Sequence, residues 1–457
     1  MDFMTRAAEI IGEAQVLTGS DMARYTTDPT GQFHSTPLCV LRPGSTQEVA
    51  ALMALADEAG QVVVPVSGNS GVSGGTHNEG AAMLSVERLN RVRAIDTVAR
   101  TAEVEAGVIL DALREAADAE GLVFPVVFGA RGSAMVGGIL STNAGGSNVL
   151  RYGNTRAQCL GLEVVLADGR VMDLMTALHK DNSGYDLRDL MIGAEGTLGI
   201  ITAAVMKLAP KPAHAVTAMI APVSLPAALT VLNRLQAATG GAVEAFEYMP
   251  RSFVEMHLAR IEGAREPFDD PHDVNVLMEL AGDAALGDVA EQVLGEAMED
   301  GLVADALIAQ NETQREAMWG RREAAAEVML PAGPAFTGDI SLPVGGLADF
   351  FDRMAGRLEE VMPGATDTCV AHLGDGNVHY GAYLEGATEE QKTAGIAALD
   401  ALVAEMGGSF SAEHGIGSYK LGSMARHKNP VALDVMRAIK TALDPKGLLN
   451  PGKVIPA

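Results

Sequence analysis

The spacing of hydrophobic and polar positions changes character near residue 210 of the chain. Before that point, short apolar runs typical of strands alternate with helical segments, among them a helix over 45–59 capped by Ser45 or Thr46. Pro210 and Pro212 then indicate a domain boundary. Beyond this boundary, long helical stretches are separated from the strand-like runs, and this pattern favours an α+β fold. The later helices are expected over 226–238, 289–299, 316–329, 346–361 and 430–443.

Two short apolar runs flank Asp375 and Gly376, a pair that is a strong signal for a two-residue hairpin turn. Counting outward from this turn places His372 directly opposite His379. Opposed residues on one face of a hairpin have Cβ atoms about 4.5 to 5.5 Å apart. The sequence therefore predicts that the two imidazoles lie close enough to share one metal ion. The alternative is an ordinary exposed hairpin whose histidines bind nothing.

Further along the chain, Glu413 and His414 stand side by side in a glycine-rich segment. Glu413 is a candidate third ligand for the metal of the two histidines, and His414 beside it is a candidate general base. Two histidines and one carboxylate leave coordination positions open, which suits a catalytic metal better than a structural one.

Composition and charge narrow the class of protein. The 457 residues are 48% hydrophobic and 20% charged, which is typical of soluble globular proteins with two or three domains. The net charge of -26 argues against nucleic acid and anionic membranes as partners. No apolar run reaches the roughly 18 residues of a membrane span, and Met1 to Ala14 lacks the regions of a signal peptide, so a cytoplasmic location is expected. Three widely spaced cysteines predict buried structural thiols at Cys39, Cys159 and Cys369.

Glycine-rich segments indicate a long, extended ligand. The first, 65–76, follows a predicted strand, and its glycines would let successive backbone N–H groups converge on an anion such as pyrophosphate. Its spacing differs from the dinucleotide fingerprint of doubly wound folds. A second segment runs over 129–138 and 143–153, and a third over 193–202. Small residues there would let the backbone lie close against a flat ligand.

These glycine segments, together with the histidine hairpin, the segments 180–187 and 411–417 and the Asn450-Pro451 tail, closely resemble the flavin-dependent 2-hydroxyacid dehydrogenases of the vanillyl-alcohol oxidase superfamily. The chain is most similar to the D-2-hydroxyglutarate dehydrogenase branch, which includes related D-lactate dehydrogenases. The resemblance extends from about residue 37 to residue 456.

The resemblance implies three parts of the chain. Residues 1–210 would form an FAD-binding domain of the vanillyl-alcohol oxidase type, built of two α+β subdomains. Residues 211–415 would form an α+β substrate cap domain that carries the metal site. Residues 416–457 would return to the FAD domain.

By the same resemblance, the first glycine loop would hold the FAD pyrophosphate and the other segments would approach the rest of the dinucleotide. Some superfamily members attach flavin covalently through a histidine in the first loop. Positions 67–75 contain no histidine, so FAD is expected to be noncovalent. The implied FAD contacts are Pro65, Ser67, Gly68, Asn69, Ser70, Gly71, Gly74, Gly75, Gly132, Ser133, Gly137, Gly138, Asn143, Gly145, Gly146, Tyr152, Gly199, Ile200 and Asn450.

For the chemistry, the resemblance implies oxidation of a D-2-hydroxy acid to the 2-oxo acid with hydride transfer from C2 to flavin N5. A divalent metal, expected to be zinc, would be held by His372, His379 and Glu413. It would lower the pKa of the substrate hydroxyl, as metals lower that of bound water from about 15.7 to about 7. His414 would then act as the general base.

Arg322 matches the family's carboxylate-binding arginine, whose planar fork suits a carboxylate, while Arg321 beside it is expected to be solvated. Three departures bear on the substrate. Hydroxyglutarate enzymes carry a threonine four residues after this arginine, a lysine before the Asp-x-Ser-Leu-Pro strand and an asparagine two residues after the second histidine. This chain has Ala326, Thr337 and Gly381 at those positions. A changed distal pocket is therefore expected, with D-lactate or another small D-2-hydroxy monocarboxylate as the alternative substrate.

Two other classes of function stay open at this point. A metal hydrolase could use the two histidines and the glutamate, although it would leave the glycine segments unexplained. A non-catalytic flavoprotein subunit of a larger oxidase would carry a decayed site. The expected partners are a 2-hydroxy acid and an electron acceptor such as an electron-transfer flavoprotein or a quinone. A homodimer is considered, and neither nucleic acid nor a membrane span is expected.

Overall fold

The computed structural model describes residues 2–457, which fall into two compact units. The first unit comprises the chain up to Gly145, Gly153–Lys211 and Glu413–Ala457. The second comprises Gly146–Tyr152 and Pro212–Ala412. These bounds differ from the expected ones at three places: 146–152 lies in the second unit, whereas Lys211 and 413–415 lie in the first.

The first unit contains a mixed four-stranded sheet and an antiparallel five-stranded sheet. The four-stranded sheet has the order Val16–Leu17, Cys39–Leu41, Ala82–Ser85, Val63–Val66. The five-stranded sheet has the order Val92–Asp96, Thr101–Glu105, Ile200–Lys207, Cys159–Val165, Val171–Leu174. A short ribbon joins Leu122–Val123 to Ala209–Pro210.

Helices and sheets of the first unit share a large apolar core. The helix expected over 45–59 is present as Thr46–Ala59, because the Ser45 hydroxyl accepts the Glu48 N–H at its start and Gly60 ends it with a φ of 65°. The α-helices of the unit are Phe3–Ile11, Thr46–Ala59, Leu110–Ala119, Val136–Thr142, Thr155–Gln158, Leu187–Met191, Leu421–His427 and Pro430–Leu443, and its 3-10 helices are Glu13–Gln15 and Gly19–Tyr25.

The second unit is built on one antiparallel sheet of seven strands. Because side chains alternate along each strand, one face carries the residues of the main core, whereas the other face carries methionines and nearly all of the buried charges. The strand order is Val303–Ile308, His214–Pro222, Val274–Gly282, Val243–Pro250, Thr366–His372, Asn377–Tyr383, Phe336–Ser341.

Helices cover both faces of the seven-stranded sheet. Leu225–Thr239, Leu286–Glu299, Leu347–Val361 and Glu389–Glu405 pack on the main core, and Arg251–Arg260, Glu312–Glu323 and Ala325–Met329 pack on the methionine-rich face. The unit also contains Val149–Tyr152 and the 3-10 helix Val344–Gly346. The expected single helix over 316–329 is wrong, because the chain turns at Ala324, where ψ is 0°, and forms two helices.

All three cysteines are buried thiols, as expected. Burial raises the pKa of the Cys39 and Cys159 thiols to about 12, so both stay protonated at neutral pH. Among residues 2–457, no helix has the length and apolar character needed to cross a membrane.

Candidate active site

The histidine hairpin is present, but its register differs from the one that the Asp-Gly pair predicts. Strand residue His372 pairs with Asn377, and His379 pairs with Val370. The prediction that His372 directly faces His379 is therefore wrong, because the loop has the four residues 373–376 rather than two.

The neighbouring strand explains this longer loop. The Leu373 N–H donates to Phe246 O at 2.8 Å. Leu373 is therefore bonded to the neighbouring strand Val243–Pro250 and not to the second strand of the hairpin. Gly376 then closes the loop with a φ of 82°, and its N–H donates to His372 O at 3.1 Å.

The two histidines nevertheless lie on one face of the hairpin as diagonal neighbours. The Nε2 atoms of His372 and His379 are 3.4 Å apart, and the ring centroids are 5.4 Å apart. Diagonal pairs in antiparallel strands are within reach of long side chains. The shifted register therefore still brings the imidazoles together.

The donor set on this face fits a divalent metal. His372 Nδ1 lies 2.8 Å from the Glu247 carboxylate, so Nδ1 carries the ring proton and Nε2 keeps its lone pair. Ligating histidines usually donate their second nitrogen in this way. Two nitrogens about 2.1 Å from a tetrahedral metal are about 3.4 Å apart, which matches the spacing of the two Nε2 atoms. Asp339, which sequence reasoning missed, places Oδ1 3.7 Å from His379 Nδ1.

Arg322 lies on the same face and shares Glu247 with His372. Its Nε donates to Glu247 Oε2 at 2.7 Å, and the residue is 9% exposed. Burial of Glu247 opposes its charge, but His372 and Arg322 together hold the pKa of this carboxyl below its ordinary value. Glu247 is therefore ionised at neutral pH, and its hydrogen bond to Arg322 uses Nε rather than a terminal nitrogen.

A second buried carboxylate, Glu279, docks the helix that carries Arg322. It accepts from Arg315 at 2.8 and 2.9 Å, from Trp319 Nε1 at 2.8 Å and from the Thr217 hydroxyl at 2.6 Å. Arg315, Trp319 and Arg322 follow one another at spacings of four and three residues and so lie on one side of the helix. The two carboxylates therefore fix the helix at two points along its length.

Arg321 is partly buried, so the expectation that it is solvated is wrong. Its Nη2 donates to Arg265 O at 2.9 Å, and burial lowers the pKa of its guanidinium.

Two of the departures from the hydroxyglutarate pattern are neighbours in the sheet. Thr337 pairs with Gly381, two cross-strand pairs from Asp339 and His379 and therefore on the same face of the sheet. A Cβ on Gly381 would lie 2.8 Å from the Tyr383 hydroxyl, which itself donates to Met329 O at 3.2 Å. Tyr383 therefore occupies the space of an asparagine side chain at position 381. Ala326, the third departure, is exposed.

In the first unit, the segment of Glu413 and His414 is fixed through its backbone. The Ser73 hydroxyl donates to His414 O at 2.9 Å. The carboxylate of Glu195 accepts the N–H groups of Ile416 and Gly417 at 2.6 and 2.8 Å. His414 is exposed and Glu413 is half-buried. Ser73 and Glu195, both missed from the sequence, therefore set the path of this segment.

The glycine segments converge in the first unit through close backbone approaches. A Cβ on Gly68 would lie 1.9 Å from Ser133 O, so only glycine fits there. A Cβ on Gly137 would lie 3.3 Å from Ser67 Oγ, and one on Gly138 would lie 3.2 Å from Ser67 Cβ. The first and second segments are therefore packed against each other.

The same loops leave room and polar atoms for FAD. A Cβ on Gly71 would have no atom within 4 Å, so the backbone is open to a ligand there. Asn450 donates its amide to Gly75 O and Glu195 O at 3.0 and 2.8 Å. Its Oδ1 is buried and has no hydrogen-bond partner within residues 2–457. An open glycine and an unused buried acceptor fit a bound dinucleotide.

Most of the other expected FAD contacts also lie in the first unit. Asn143 ends the Val136–Thr142 helix with a φ of 52°, and its Oδ1 accepts the Arg156 N–H at 2.9 Å. Gly146 and Tyr152 belong instead to the second unit, where the Tyr152 hydroxyl donates to Glu244 at 2.6 Å. The remaining positions in the first unit are Pro65, Asn69, Ser70, Gly74, Gly132, Gly145, Gly199 and Ile200.

Comparison with known proteins identifies the family. The FAD binding domain model matches residues 37–175, and the model of the C-terminal domain of FAD linked oxidases matches residues 211–454. D-2-hydroxyglutarate dehydrogenase of Xanthomonas citri pv. viticola is 37% identical over 95% of this chain and 93% of its own length. The mitochondrial D-2-hydroxyglutarate dehydrogenase of Bos taurus is 38% identical over 91% of this chain and 76% of its own length. The mitochondrial enzyme of that name from Arabidopsis thaliana is 34% identical over 98% of this chain and 80% of its own length.

Solved structures support the same fold. p-Cresol methylhydroxylase superposes with a TM-score of 0.76 at 17% identity, covering 99% of this chain and 96% of its own. Alkyldihydroxyacetonephosphate synthase superposes with a TM-score of 0.75 at 17% identity, covering 98% and 84%. The α+β architecture of FAD-binding proteins of the vanillyl-alcohol oxidase family is therefore confirmed. The chain belongs to the FAD-linked oxidases and is a flavin-dependent oxidoreductase that acts on a CH–OH group.

Proposed function

We propose that this protein oxidises a D-2-hydroxy acid to the 2-oxo acid with noncovalent FAD and a divalent metal. The observation that carries the proposal is the shared carboxylate of Glu247, which joins a pair of metal-donor histidines to a buried arginine. A 2-hydroxy acid presents a hydroxyl next to a carboxylate, and this arrangement offers a partner for each. The names of the near full-length relatives support the same reaction.

When bound, the metal would acidify the substrate hydroxyl and FAD would accept hydride from C2. His372, His379 and Glu413 are the proposed metal ligands, and zinc suits their nitrogen and oxygen donors. Glu413 follows Ala412 directly in the chain, and the Ala412 N–H donates to Asp339 O at 3.2 Å. Ala412, the last residue of the second unit, therefore lies beside the strand that pairs with the strand of His379.

Two further residues have proposed roles in the reaction. His414 is the proposed base that takes the hydroxyl proton, because it neighbours a ligand and is exposed. The terminal nitrogens of Arg322 would bind the substrate carboxylate as a two-pronged donor. Such a two-pronged contact would orient C2 of the substrate in addition to contributing to substrate affinity.

The distal end of the substrate is proposed to be small or neutral. Ala326, Thr337 and Gly381 supply neither the cation nor the amide of a hydroxyglutarate pocket, and Tyr383 fills the space beside Gly381. A buried carboxylate without a partner costs several kcal/mol. D-lactate is therefore one candidate, and D-2-hydroxyglutarate, in the name of the relatives, is the other.

Several finer properties are also proposals. An electron-transfer flavoprotein or a quinone would reoxidise the flavin, and a homodimer would be the assembly. A cytoplasmic location is proposed from the sequence, although relatives in plants and animals are named mitochondrial.

The test is a panel of D- and L-2-hydroxy acids with an artificial dye as electron acceptor. We expect turnover with D-acids alone, and at least tenfold higher kcat/KM for the best monocarboxylate than for D-2-hydroxyglutarate. Equal efficiency for the two would contradict the changed pocket while leaving the reaction class intact. A protein that binds FAD and metal but oxidises none of the acids would contradict the proposed function.

A further inference from the structure

Glu247 occupies an unusual position in the second unit. It lies in the Val243–Pro250 strand and is 0% exposed. Its two oxygens bind different partners, Oε1 at 2.8 Å from His372 Nδ1 and Oε2 at 2.7 Å from Arg322 Nε. A carboxylate is rarely buried without partners of this kind. Here one partner is a proposed metal ligand and the other is the proposed substrate-carboxylate residue.

We propose that Glu247 is a positioning residue that holds His372 in its metal-binding tautomer and orients the fork of Arg322 at the same time. Metal and substrate carboxylate are then bound by one preorganised group rather than by two independent ones. This inference rests on the proposed function for the identity of the two ligands, but its central observable is metal affinity, which requires no turnover.

The chemistry of the side chain supports a specific role for the negative charge. An ionised carboxylate only accepts hydrogen bonds, so it obliges His372 to place its proton on Nδ1 and its lone pair on Nε2. Arg322 likewise must turn Nε toward Glu247, which leaves its terminal nitrogens together on the other edge of the guanidinium. Glutamine has the same shape but offers one acceptor and one donor. Its single oxygen can accept from His372 or from Arg322, but not from both, and an amide NH₂ that faces His372 Nδ1 would favour the tautomer with the proton on Nε2.

Glu279 provides a matched control within the same sheet. It is also buried, lies on the neighbouring strand and binds the helix that carries Arg322. Its hydrogen-bond partners are two side chains of that helix and the Thr217 hydroxyl, with no imidazole among them. Glu279→Gln therefore weakens helix docking without removing the hydrogen bond on His372.

The first measurement is Zn²⁺ affinity, determined by competition with a chromophoric chelator in the purified, FAD-containing protein. Removing the carboxylate partner of a ligating histidine lowers metal affinity by about 10- to 100-fold. We expect Glu247→Gln to show a loss in that range. Glu279→Gln should remain within about threefold of the parent.

The second measurement separates positioning from general damage. In Zn²⁺-saturated protein, Glu247→Gln should raise KM by a similar factor for every accepted D-2-hydroxy acid, because the carboxylate next to C2 is common to all of them. A purely structural defect would instead lower the melting temperature and leave KM and metal affinity unchanged.

Glu247→Gln leaves Arg322 buried without its anion, so the single variant could fail to fold. A second comparison covers that case. The double variant Glu247→Gln/Arg322→Met removes both members of the pair and is compared with Arg322→Met alone. The loss of Zn²⁺ affinity should reappear between these two, because His372 again differs only in its partner.

The outcomes distinguish the inference from the proposed function. Unchanged Zn²⁺ affinity in folded Glu247→Gln, or an equal loss in Glu279→Gln, would overturn the inference even if the acids are oxidised. A parent protein that binds no Zn²⁺ would overturn it as well. Zn²⁺ binding that depends on Glu247, in a protein that oxidises no 2-hydroxy acid, would support the positioning role and reject the proposed reaction.

Discussion

Replacing Arg322 by lysine tests whether one guanidinium serves two carboxylates at once. Arg322 uses Nε for Glu247 at 2.7 Å, and its two terminal nitrogens are assigned to the substrate. Lysine keeps the positive charge but has a single nitrogen. Because Glu247 is completely buried, the ammonium should stay with Glu247 and lose the substrate.

The size of the defect follows from the bonds that disappear. A hydrogen bond to a charged group contributes about 1.5 to 3 kcal/mol. Water can replace part of the two bonds lost from the substrate carboxylate, so a net loss of about 3 kcal/mol is a reasonable expectation. At about 1.4 kcal/mol per factor of ten, this corresponds to a fall of about 10²-fold in kcat/KM.

The assay is dye-coupled oxidation of the best D-2-hydroxy acid, with FAD and metal content measured in the same preparations. Arg315→Lys is the matched control, because Arg315 lies on the same helix and binds Glu279 as Arg322 binds Glu247. Both variants replace a guanidinium that binds a buried glutamate by an ammonium with poorer geometry, so both should melt at a lower temperature. Only Arg322→Lys should lose kcat/KM. A value within threefold of the parent for Arg322→Lys would refute the assignment of Arg322 to the substrate.

Four further outcomes are expected. Acid precipitation should leave yellow FAD in the supernatant, since 67–75 contains no histidine for a covalent link; flavin in the pellet would contradict this. Chelation, and His379→Ala, should abolish turnover while absorbance spectra show FAD still bound, whereas full activity in metal-free protein would reject the metal site. His414→Ala should lower kcat by about 10² to 10⁴ with metal content unchanged, and loss of metal would instead make His414 a ligand. Glu195→Ala should lower the melting temperature, because two backbone N–H groups lose their acceptor at about 1 to 3 kcal/mol each; an unchanged melting curve would contradict that role.

The hairpin shows how far local sequence signals reach. Asp375-Gly376 correctly marked a turn, and His372 and His379 are close in space. The register was wrong because it depends on a bond outside the hairpin, from the Leu373 N–H to Phe246 O. A dipeptide contains no information about a strand that is more than a hundred residues away. The diagonal geometry of the histidines could therefore be learned only from the assembled sheet.

The missed residues have a different cause. Glu247 lies between Phe246 and Tyr248, and Asp339 lies next to Ile340, and that is a usable signal, because a carboxylate in a buried strand needs partners. The sequence did not reveal which partners those are, since His372 and Arg322 come from a distant strand and a distant helix. Similarity to the family's motifs identified the residues proposed to bind the metal, FAD and substrate. It did not identify the residues that orient these side chains.

The arrangement on the polar face of the sheet suits a proposed substrate pocket whose distal end varies while its reacting end stays the same. Glu247 and Glu279 fix the helix of Arg322 through bonds on the central strands of the sheet. Thr337 and Gly381 lie on the same two strands as Asp339 and His379, two cross-strand pairs further along. In the proposed site, a substitution at that pair would change the contacts of the substrate's distal end without removing either glutamate bond. A family with this layout can therefore keep one oxidation chemistry while the side chain of its 2-hydroxy acid changes.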